Sequence, residues 1–241
     1  MSKFSDLKKD LMKETKIKVK EAVSFDLMII QAMNTVDELT KVLNSLTKRL
    51  REWHAYSLPE MEFSMEDNEV YCKLISTKSY EELKEEFGKD TMGNILDEKD
   101  VAMQIETAKN ITQLFKLKED LLTYIENIMK INMPNFQILA GTNIGARMLV
   151  SAGSLKKLAM MPASTIQMLG AEKALFRHLK SGARCPKHGF IINHNLVAGN
   201  KEKGKVSRIL ADKLAQCAKI DFFKGEVVAN KMKEDLETKF K

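Results

Sequence analysis

The sequence predicts an all-α protein in which a long antiparallel helical hairpin is followed by a compact helical domain. Two long segments carry apolar residues at steps of three or four, which places them on one face of a helix. Nine of the eleven glycines lie after residue 135, which indicates short, tightly connected helices there. No segment alternates polar and apolar residues clearly enough to require a sheet.

The first long helix is predicted from an apolar stripe that no proline or glycine interrupts before Pro59. A helix of about 30 residues is about 45 Å long. Such a length is unusual for a globular helix and indicates a coiled coil or a helical hairpin. The stripe comprises Leu27, Ile30, Met33, Asn34, Val36, Leu39, Val42, Leu43, Leu46 and Leu50.

A second stripe from Val101 to Ile128 predicts another long helix, which Pro134 ends. Breaks at residues 55–97 predict small helices between the two. Long helices joined by a compact insert most simply fold back as an antiparallel pair. A projecting arm able to dimerise is favoured, with a plain bundle as the alternative. Trp53 and Tyr56 predict packing at the hairpin tip, and a partner contact there is the alternative.

Four segments are predicted in all. A Lys-rich leader spans residues 1–20, the hairpin 21–134, the compact domain 135–230 and a basic tail 231–241. The leader lacks a clear apolar stripe, so we expect it to be frayed, and we expect the tail to be disordered.

Local signals place the helices of the compact domain. Ser154 is a predicted N-cap, and the spacing of Ser164 and Gln167 is that of a capping box. Residues 171–180 are predicted to form a helix that stops at Gly182. Residues 205–220 form an amphipathic pattern.

Charge is divided unevenly along the chain. Residues 141–241 hold 19 Lys and Arg against 8 Asp and Glu, a net charge of +11, whereas residues 1–140 carry a net charge of −5. Like charges repel within a folded domain and persist more readily beside a polyanion. The C-terminal part is therefore the candidate face for RNA or DNA, with an inert solvated surface as the alternative.

The densest basic stretch runs from residue 173 to residue 208, with Glu202 as its one acid. Phosphates require clustered positive side chains, and arginine adds bidentate geometry. Lys173, Arg177 and Lys180 are spaced to share one helical face. His188 could stack on an unpaired base, although a surface histidine is the simpler interpretation. The predicted RNA-binding residues are Lys173, Arg177, Lys180, Arg184, Lys187, His188, Lys205 and Arg208.

Other classes of protein find little support. No apolar run is long enough to span a membrane, and the N-terminus lacks the apolar region of a secretory signal. Three cysteines without CxxC spacing predict reduced thiols and no zinc site. No P-loop, nucleophile elbow or HExxH motif occurs, and acidic residues are few in the C-terminal part. We therefore expect no metal, no cofactor and no enzyme activity.

Several motifs resemble those of the Nop family. Gly153–Leu155 and Met161–Arg177 resemble the signature of the Nop domain, and Pro186–Gly189, Gly204–Arg208 and Ala218–Asp221 continue the match in order. Residues 26–34 and 50–53 resemble the family's coiled coil, so that the resemblance covers about residues 15–227. Within the family, Gly170–Phe176 is most similar to the box C/D branch, and residues 177–184 to the archaeal form.

The resemblance implies a scaffold of box C/D ribonucleoproteins, which guide ribose 2′-O-methylation of rRNA. It implies that the Nop domain binds a composite of kink-turn RNA and a small protein already bound to it, and that the coiled coil pairs two copies. The helix of Lys173 and Arg177 and the loop of Lys187 and His188 match the elements that touch RNA and partner. The predicted contacts with the small protein are Gln167, Gly170, Ala171, Ala174 and Leu175.

Other features of the family set further expectations. Family members usually carry a folded N-terminal domain that recruits the methyltransferase fibrillarin, and the short leader in its place predicts at most an indirect association with fibrillarin. The protein is expected in the cytoplasm of an archaeon or in the nucleolus of a eukaryote. The remaining alternatives are a splicing-type relative that binds a small nuclear RNA stem-loop and a structural oligomerisation protein.

Overall fold

The computed structural model describes residues 2–240, which form fourteen α-helices, a 3-10 helix and no strand. The predicted all-α class is confirmed. The helices are α1 Ser2–Glu21, α2 Phe25–His54, α3 Pro59–Ser64, α4 Asn68–Thr77, α5 Tyr80–Phe87, α6 Glu98–Asn132, α7 Pro134–Ala140, α8 Thr142–Ala152, α9 Leu155–Met160, α10 Ala163–Met168, α11 Glu172–Ser181, α12 Asn195–Ala198, α13 Lys203–Phe222 and α14 Ala229–Phe240, with the 3-10 helix at Phe190–Asn193.

The chain divides into two compact units. One is Asn34–Thr123, and the other contains the remaining described residues. Helices α2 and α6 contribute residues to both units. The sequence predicts boundaries at residues 21 and 134, because an apolar stripe marks a buried face without showing which part of the chain covers it.

In the unit Asn34–Thr123, α2 and α6 run antiparallel, as the two stripes predict. The Gln104 side-chain amide near the start of α6 donates to the Trp53 carbonyl near the end of α2 at 3.3 Å. Leu43 and Leu50 of α2 share one core with Ala108 and Ile111 of α6. The small helices α3, α4 and α5 complete this core with Leu58, Met61, Tyr71, Cys72, Ile75 and Leu83.

A buried histidine lies where α2 ends. His54 is 3% exposed, and its Nδ1 shares a hydrogen bond of 3.1 Å with the Tyr71 hydroxyl. The Arg51 guanidinium stacks over the Tyr71 ring, 4.2 Å from its centroid. Burial lowers the pKa of His54 to about 4 and raises that of Tyr71, so both side chains are neutral at physiological pH.

In the other unit, α13 lies at the centre. It packs against α7, α9, α10, α12, α14 and the 3-10 helix. The predicted amphipathic face is confirmed, since Val206, Leu210, Leu214 and Cys217 are buried. Burial also raises the pKa of the Cys217 thiol to about 12, which keeps this cysteine protonated and unreactive.

A network of buried polar groups joins the start of α7 to the end of α13 and the start of α14. One Asp221 oxygen accepts from the Asn135 backbone N–H at 3.1 Å and its side-chain amide at 2.8 Å, and the other accepts from the Phe136 N–H at 2.8 Å. The side-chain oxygen Oδ1 of Asn135 accepts from the N–H groups of Val228 and Ala229 at 2.7 and 3.0 Å. Asp221 at the end of α13 thus caps α7, while Asn135 fixes the start of α14.

The two terminal segments differ from the sequence-based interpretation. Residues 2–20 lie in α1, where Phe4, Leu7 and Leu11 follow one another at helical spacing and are more than half exposed. Residues 231–240 lie in α14, which packs against α7 and buries Leu236. The predictions of a frayed leader and a disordered tail are therefore wrong for these residues, since frequent lysines obscured both spacings. Residues 1 and 241 lie outside the described part of the chain.

None of the described helices is both long enough and apolar enough to cross a membrane. Over residues 2–240, no three His, Cys, Asp or Glu side chains are grouped to hold a metal ion.

Replacement of Asp221 by asparagine tests the buried network. Asparagine offers one acceptor oxygen and presents an N–H2 group to an N–H donor, so at least one buried donor loses its partner. We expect the free energy of unfolding in urea to fall by about 2 to 4 kcal/mol. Asp212→Asn is the matched control, because Asp212 is exposed on the same helix and accepts only from Gln216. Equal stability of the two variants would contradict this role.

The buried His54 predicts a loss of stability in mild acid. Its pKa is about 4 in the folded chain against 6.5 in the unfolded chain, so the unfolded state binds a proton first as the pH falls. Its contribution is complete above pH 6.5 and is lost as the pH falls towards 4, with a limit of about 3 kcal/mol.

Urea unfolding at pH about 7 and about 5 measures this loss. The His54→Gln variant cannot titrate at this position and should lose less stability than the wild type between the two conditions. An identical pH dependence in both proteins would show that His54 does not contribute.

Candidate nucleic-acid interface

Two chain segments lie side by side and fix the loop that carries Lys187. The Gly189 N–H donates to the Gln167 carbonyl at 2.8 Å, and the Phe190 N–H donates to the Leu169 carbonyl at 2.7 Å. The Gln167 side-chain amide adds a third hydrogen bond, 2.6 Å to the Lys187 carbonyl. The basic loop is thus anchored through its backbone, which leaves the Lys187 side chain exposed.

Glycine is required at two positions of this anchor. A Cβ at Gly189 would lie 1.8 Å from the Leu169 carbonyl oxygen, an impossible contact with backbone. Gly170 has a φ of +89°, and a Cβ there would lie 2.7 Å from the Phe190 ring. The two backbones approach this closely only because neither glycine has a side chain.

Gln167 does not form the predicted capping box with Ser164. Helix α10 begins after Pro162, and no side chain caps it. The proline already supplies a suitable helix entry, so the glutamine amide is free to reach Lys187. By contrast, the predicted Ser154 cap is confirmed, since its side chain accepts from the Lys157 N–H.

Helix α11 follows directly and buries none of its residues. It begins after Gly170, whose N–H donates to a Glu172 carboxylate oxygen at 2.7 Å, and it ends at Gly182 with a φ of +67°. Lys173, Arg177 and Lys180 are exposed and line one shallow groove together with Phe176. The sequence prediction that these three cations share a face is confirmed.

Two apolar residues of α11 were missed by the sequence analysis. Phe176 is 60% exposed and Leu179 is 69% exposed. A spacing of three residues is equally typical of the buried face of a helix, so the sequence alone does not indicate exposure. The structure instead leaves both in solvent, beside the basic face.

A second basic group forms where the loop meets α13. A Cβ at Gly204 would lie 3.7 Å from Cδ of Lys187, so the Lys187 side chain runs past the start of α13. Lys205 lies one residue further on and forms an exposed ion pair of 3.0 Å with Glu202. The structure therefore brings the Lys187 side chain to the first turn of α13, which also carries Lys205.

The remaining predicted RNA-binding residues surround these two groups. Arg184 is exposed in the loop after α11, and Arg208 is exposed one turn into α13. His188 is half-buried. Throughout residues 2–240, no carboxylate lies within ion-pair distance of Lys173, Arg177, Lys180, Arg184, Lys187 or Arg208. Their charges are therefore uncompensated and exposed, which is the state that favours a polyanion.

The predicted partner-binding residues fall into two kinds. Gln167 and Gly170 have the structural roles described above, holding the loop and lying against Phe190. Ala171 is half-exposed and Ala174 is exposed at the first turns of α11, while Leu175 is half-buried. Only the second kind has no structural role of this type.

Comparisons with known proteins found several relatives of this chain. A family model described as Nop, snoRNA binding domain, fibrillarin, matches residues 35–241. An uncharacterised NOP5 family protein of Methanocaldococcus jannaschii is 40% identical over 232 residues, covering 88% of this chain and 55% of that protein. Nucleolar protein 58 of Schizosaccharomyces pombe is 38% identical over 224 residues, covering 85% and 44%. Nucleolar protein 56 of Mus musculus is 34% identical over 238 residues, covering 88% and 41%.

The chain thus spans about half the length of these relatives. Its fold resembles that in a crystal structure of a fibrillarin/Nop5p complex, with a TM-score of 0.61 and 24% identity over all of this chain and 81% of that one. That structure supports the fold. The family model covers most of the sequence, including α11, the Lys187 loop and α13. The chain belongs to the Nop family.

Proposed function

We propose that the chain is an RNA-binding scaffold of a box C/D ribonucleoprotein that guides 2′-O-methylation of rRNA. In this proposal it recognises kink-turn RNA together with a small protein bound to that RNA. One observation carries the proposal. Helix α11 presents Lys173, Arg177 and Lys180 beside exposed Phe176 and Leu179 and buries none of its residues.

A surface of this composition suits a composite target better than RNA alone. The cations neutralise phosphates, and each phosphate neutralised in loop RNA contributes about −0.7 to the slope of log affinity against log salt. Exposed Phe and Leu side chains gain little from phosphates but contribute by burial against a protein. Binding therefore requires both ligands to be presented together.

The anchored loop supports the same proposal. The backbone of Lys187 is held by Gln167, Gly170 and Gly189, and its side chain reaches the first turn of α13, which carries Lys205. A fixed group of charges avoids the entropy cost of ordering a mobile loop on binding. On the same loop, we propose that His188 contacts an unpaired base and that Arg184 contacts a phosphate.

The scaffold role includes further partners. We propose that the helices α2 and α6 pair with those of a second copy, and that the methyltransferase reaction belongs to fibrillarin, which associates with the assembled particle. The eukaryotic relatives are named nucleolar proteins, so a eukaryotic chain of this kind is proposed for the nucleolus and an archaeal one for the cytoplasm.

Charge reversal on α11 tests the RNA contact. The double variant Lys173→Glu/Arg177→Glu should weaken the complex with kink-turn RNA and its bound small protein by roughly tenfold or more, and it should reduce the salt slope by about 1.4. A gel-shift titration with the RNA, with and without the small protein, measures both effects.

Lys231→Glu/Lys233→Glu on α14 is the control, since it makes the same change of charge in the same unit. If the α11 variant still forms the ternary complex at wild-type concentrations, the assignment is refuted. An equal loss in both variants would indicate a general charge effect. Complexes formed with a spliceosomal stem-loop in place of the box C/D RNA would favour the splicing-type alternative.

Removal of the apolar side chains tests the protein contact. Phe176→Ser/Leu179→Ser should weaken binding to the RNA–protein complex by roughly tenfold while leaving the salt slope unchanged, because no phosphate contact is lost. Met160→Ser, which removes a 67% exposed side chain elsewhere in the unit, should have no effect. Binding to bare RNA that equals binding to the complex would argue against composite recognition.

A further inference from the structure

A short segment between α5 and α6 is held rigidly against the end of α2. The Glu60 carboxylate accepts from the Met92 N–H at 2.9 Å and from the Thr91 hydroxyl at 2.8 Å. The Asn94 N–H donates to the Tyr56 carbonyl at 2.8 Å. The hydrogen bonds from the Met92 N–H and the Thr91 hydroxyl lower the pKa of Glu60, which favours its charged, hydrogen-bonded form.

The backbone of this segment also lies in direct contact with its neighbour. A Cβ at Gly93 would lie 1.9 Å from the Ser57 carbonyl oxygen, which no other residue could tolerate. The Gly93 N–H in turn donates to the Thr91 hydroxyl at 3.0 Å. Residues 91–94 are thus fixed by backbone hydrogen bonds and close packing, so the side chains that they carry have defined positions.

Four large apolar side chains project into solvent on or next to the segment of residues 91–94 and the residues that hold it. Met92 is 89% exposed, Ile95 84%, Phe63 88% and Tyr56 68%. The backbones of Met92 and Tyr56 make two of the hydrogen bonds that hold this segment. Ile95 follows Asn94, and Phe63 lies one turn after Glu60 on α3. We call these four side chains the tip surface.

Isolated exposed apolar residues are common and have no special meaning. A group of four on a rigid surface is different, because grouped exposed apolar residues mark sites of interaction. Methionine and aromatic residues are also the types enriched where proteins meet. The packing predicted for Tyr56 at the hairpin tip is wrong, and its exposure favours the alternative of a partner contact there.

The charge around the tip surface is strongly acidic. Residues 56–66 and 88–98 contain Glu60, Glu62, Glu66, Asp90, Asp97 and Glu98, with Lys89 as their one basic residue. RNA is repelled by such a surface, whereas a cationic protein segment is attracted to it. The charge is opposite to that of residues 141–241, so the tip surface and α11 select different partners.

We propose that the tip surface binds a Lys- and Arg-rich protein segment whose apolar side chains pack on Met92, Ile95, Phe63 and Tyr56. Cations of that segment then pair with the surrounding carboxylates. This site is independent of the RNA-binding function proposed above, because it uses the other compact unit and the opposite charge.

Fluorescence anisotropy with short labelled peptides tests the proposal on the full chain. A peptide of Lys and Leu should bind, a peptide of Lys and Ser should bind much more weakly, and a peptide of Glu and Leu should not bind. Met92→Ser/Ile95→Ser should raise the dissociation constant of the Lys/Leu peptide by roughly tenfold or more. Tyr56→Ser/Phe63→Ser should do the same and serves as a second variant if the first fails to fold.

Ile131→Ser/Met160→Ser is the matched control, because it removes one Ile and one Met that are 80% and 67% exposed in the other unit. Equal peptide affinity in the wild type, the tip variants and this control would overturn the proposal, as would no binding by the wild type. Sedimentation velocity of the wild type and the tip variants adds a further check. If the tip variants lose a dimer that the wild type forms, the occupant is a second copy and the proposal is wrong. Loss of RNA binding by the tip variants would likewise identify RNA as the occupant and overturn it.

Discussion

The unit that carries the basic residues of α11 and the Lys187 loop depends on the buried hydrogen bonds between Asp221 and Asn135. These residues are 86 positions apart, and their side chains join the start of α7, the end of α13 and the start of α14. Helix ends leave backbone groups without partners, and burial makes an unpaired group costly. Asp221 accepts hydrogen bonds from the N–H groups at the start of α7, and the Asn135 side chain accepts hydrogen bonds from those at the start of α14. One acid and one amide therefore close the unit at a point where short helices alone would leave several polar groups unsatisfied.

Helix α13 connects the buried hydrogen bonds to the basic residues Lys187 and Lys205. It is 20 residues long, or about 30 Å, and Asp221 lies at its last turn while Lys205 lies at its first. Helix α10 packs along α13, and the segment after α10 pairs with the loop of Lys187. The positions of Lys187 and Lys205 thus follow from the same helix that the buried network fixes. Helix α11 is attached to this frame at its two ends and is otherwise open, which leaves both its basic and its apolar residues available.

Local patterns in the sequence predicted the local features of the fold well. The spacing of apolar residues was enough for the two long helices and for the buried face of α13, because helical periodicity depends on near neighbours. Features that depend on distant residues were missed. Leu236 is buried because α14 packs on α7, and Gln167 bonds a carbonyl twenty residues further on, neither of which a local pattern reveals. The motif Ala218–Asp221 was recognised as typical of the family, but its physical role required the position of Asn135. In the candidate site, the grouping of Lys173, Arg177 and Lys180 was predictable, whereas the contact of Lys187 with Gly204 was not.

In the proposed function, the division of charge between the two units separates the two kinds of partner. Asn34–Thr123 contains 19 acidic and 12 basic residues, a net charge of −7, whereas the rest of the chain carries a net charge of +13. Electrostatic attraction is felt over roughly 8 Å at physiological salt, so each partner responds mainly to the surface that it approaches. According to the two proposals, a polyanion is drawn to α11 and the Lys187 loop and repelled by the tip surface, and the reverse holds for a cationic protein. Because charge alone sorts the two classes of ligand, the exposed apolar residues on both surfaces can add affinity without making either surface bind the wrong partner.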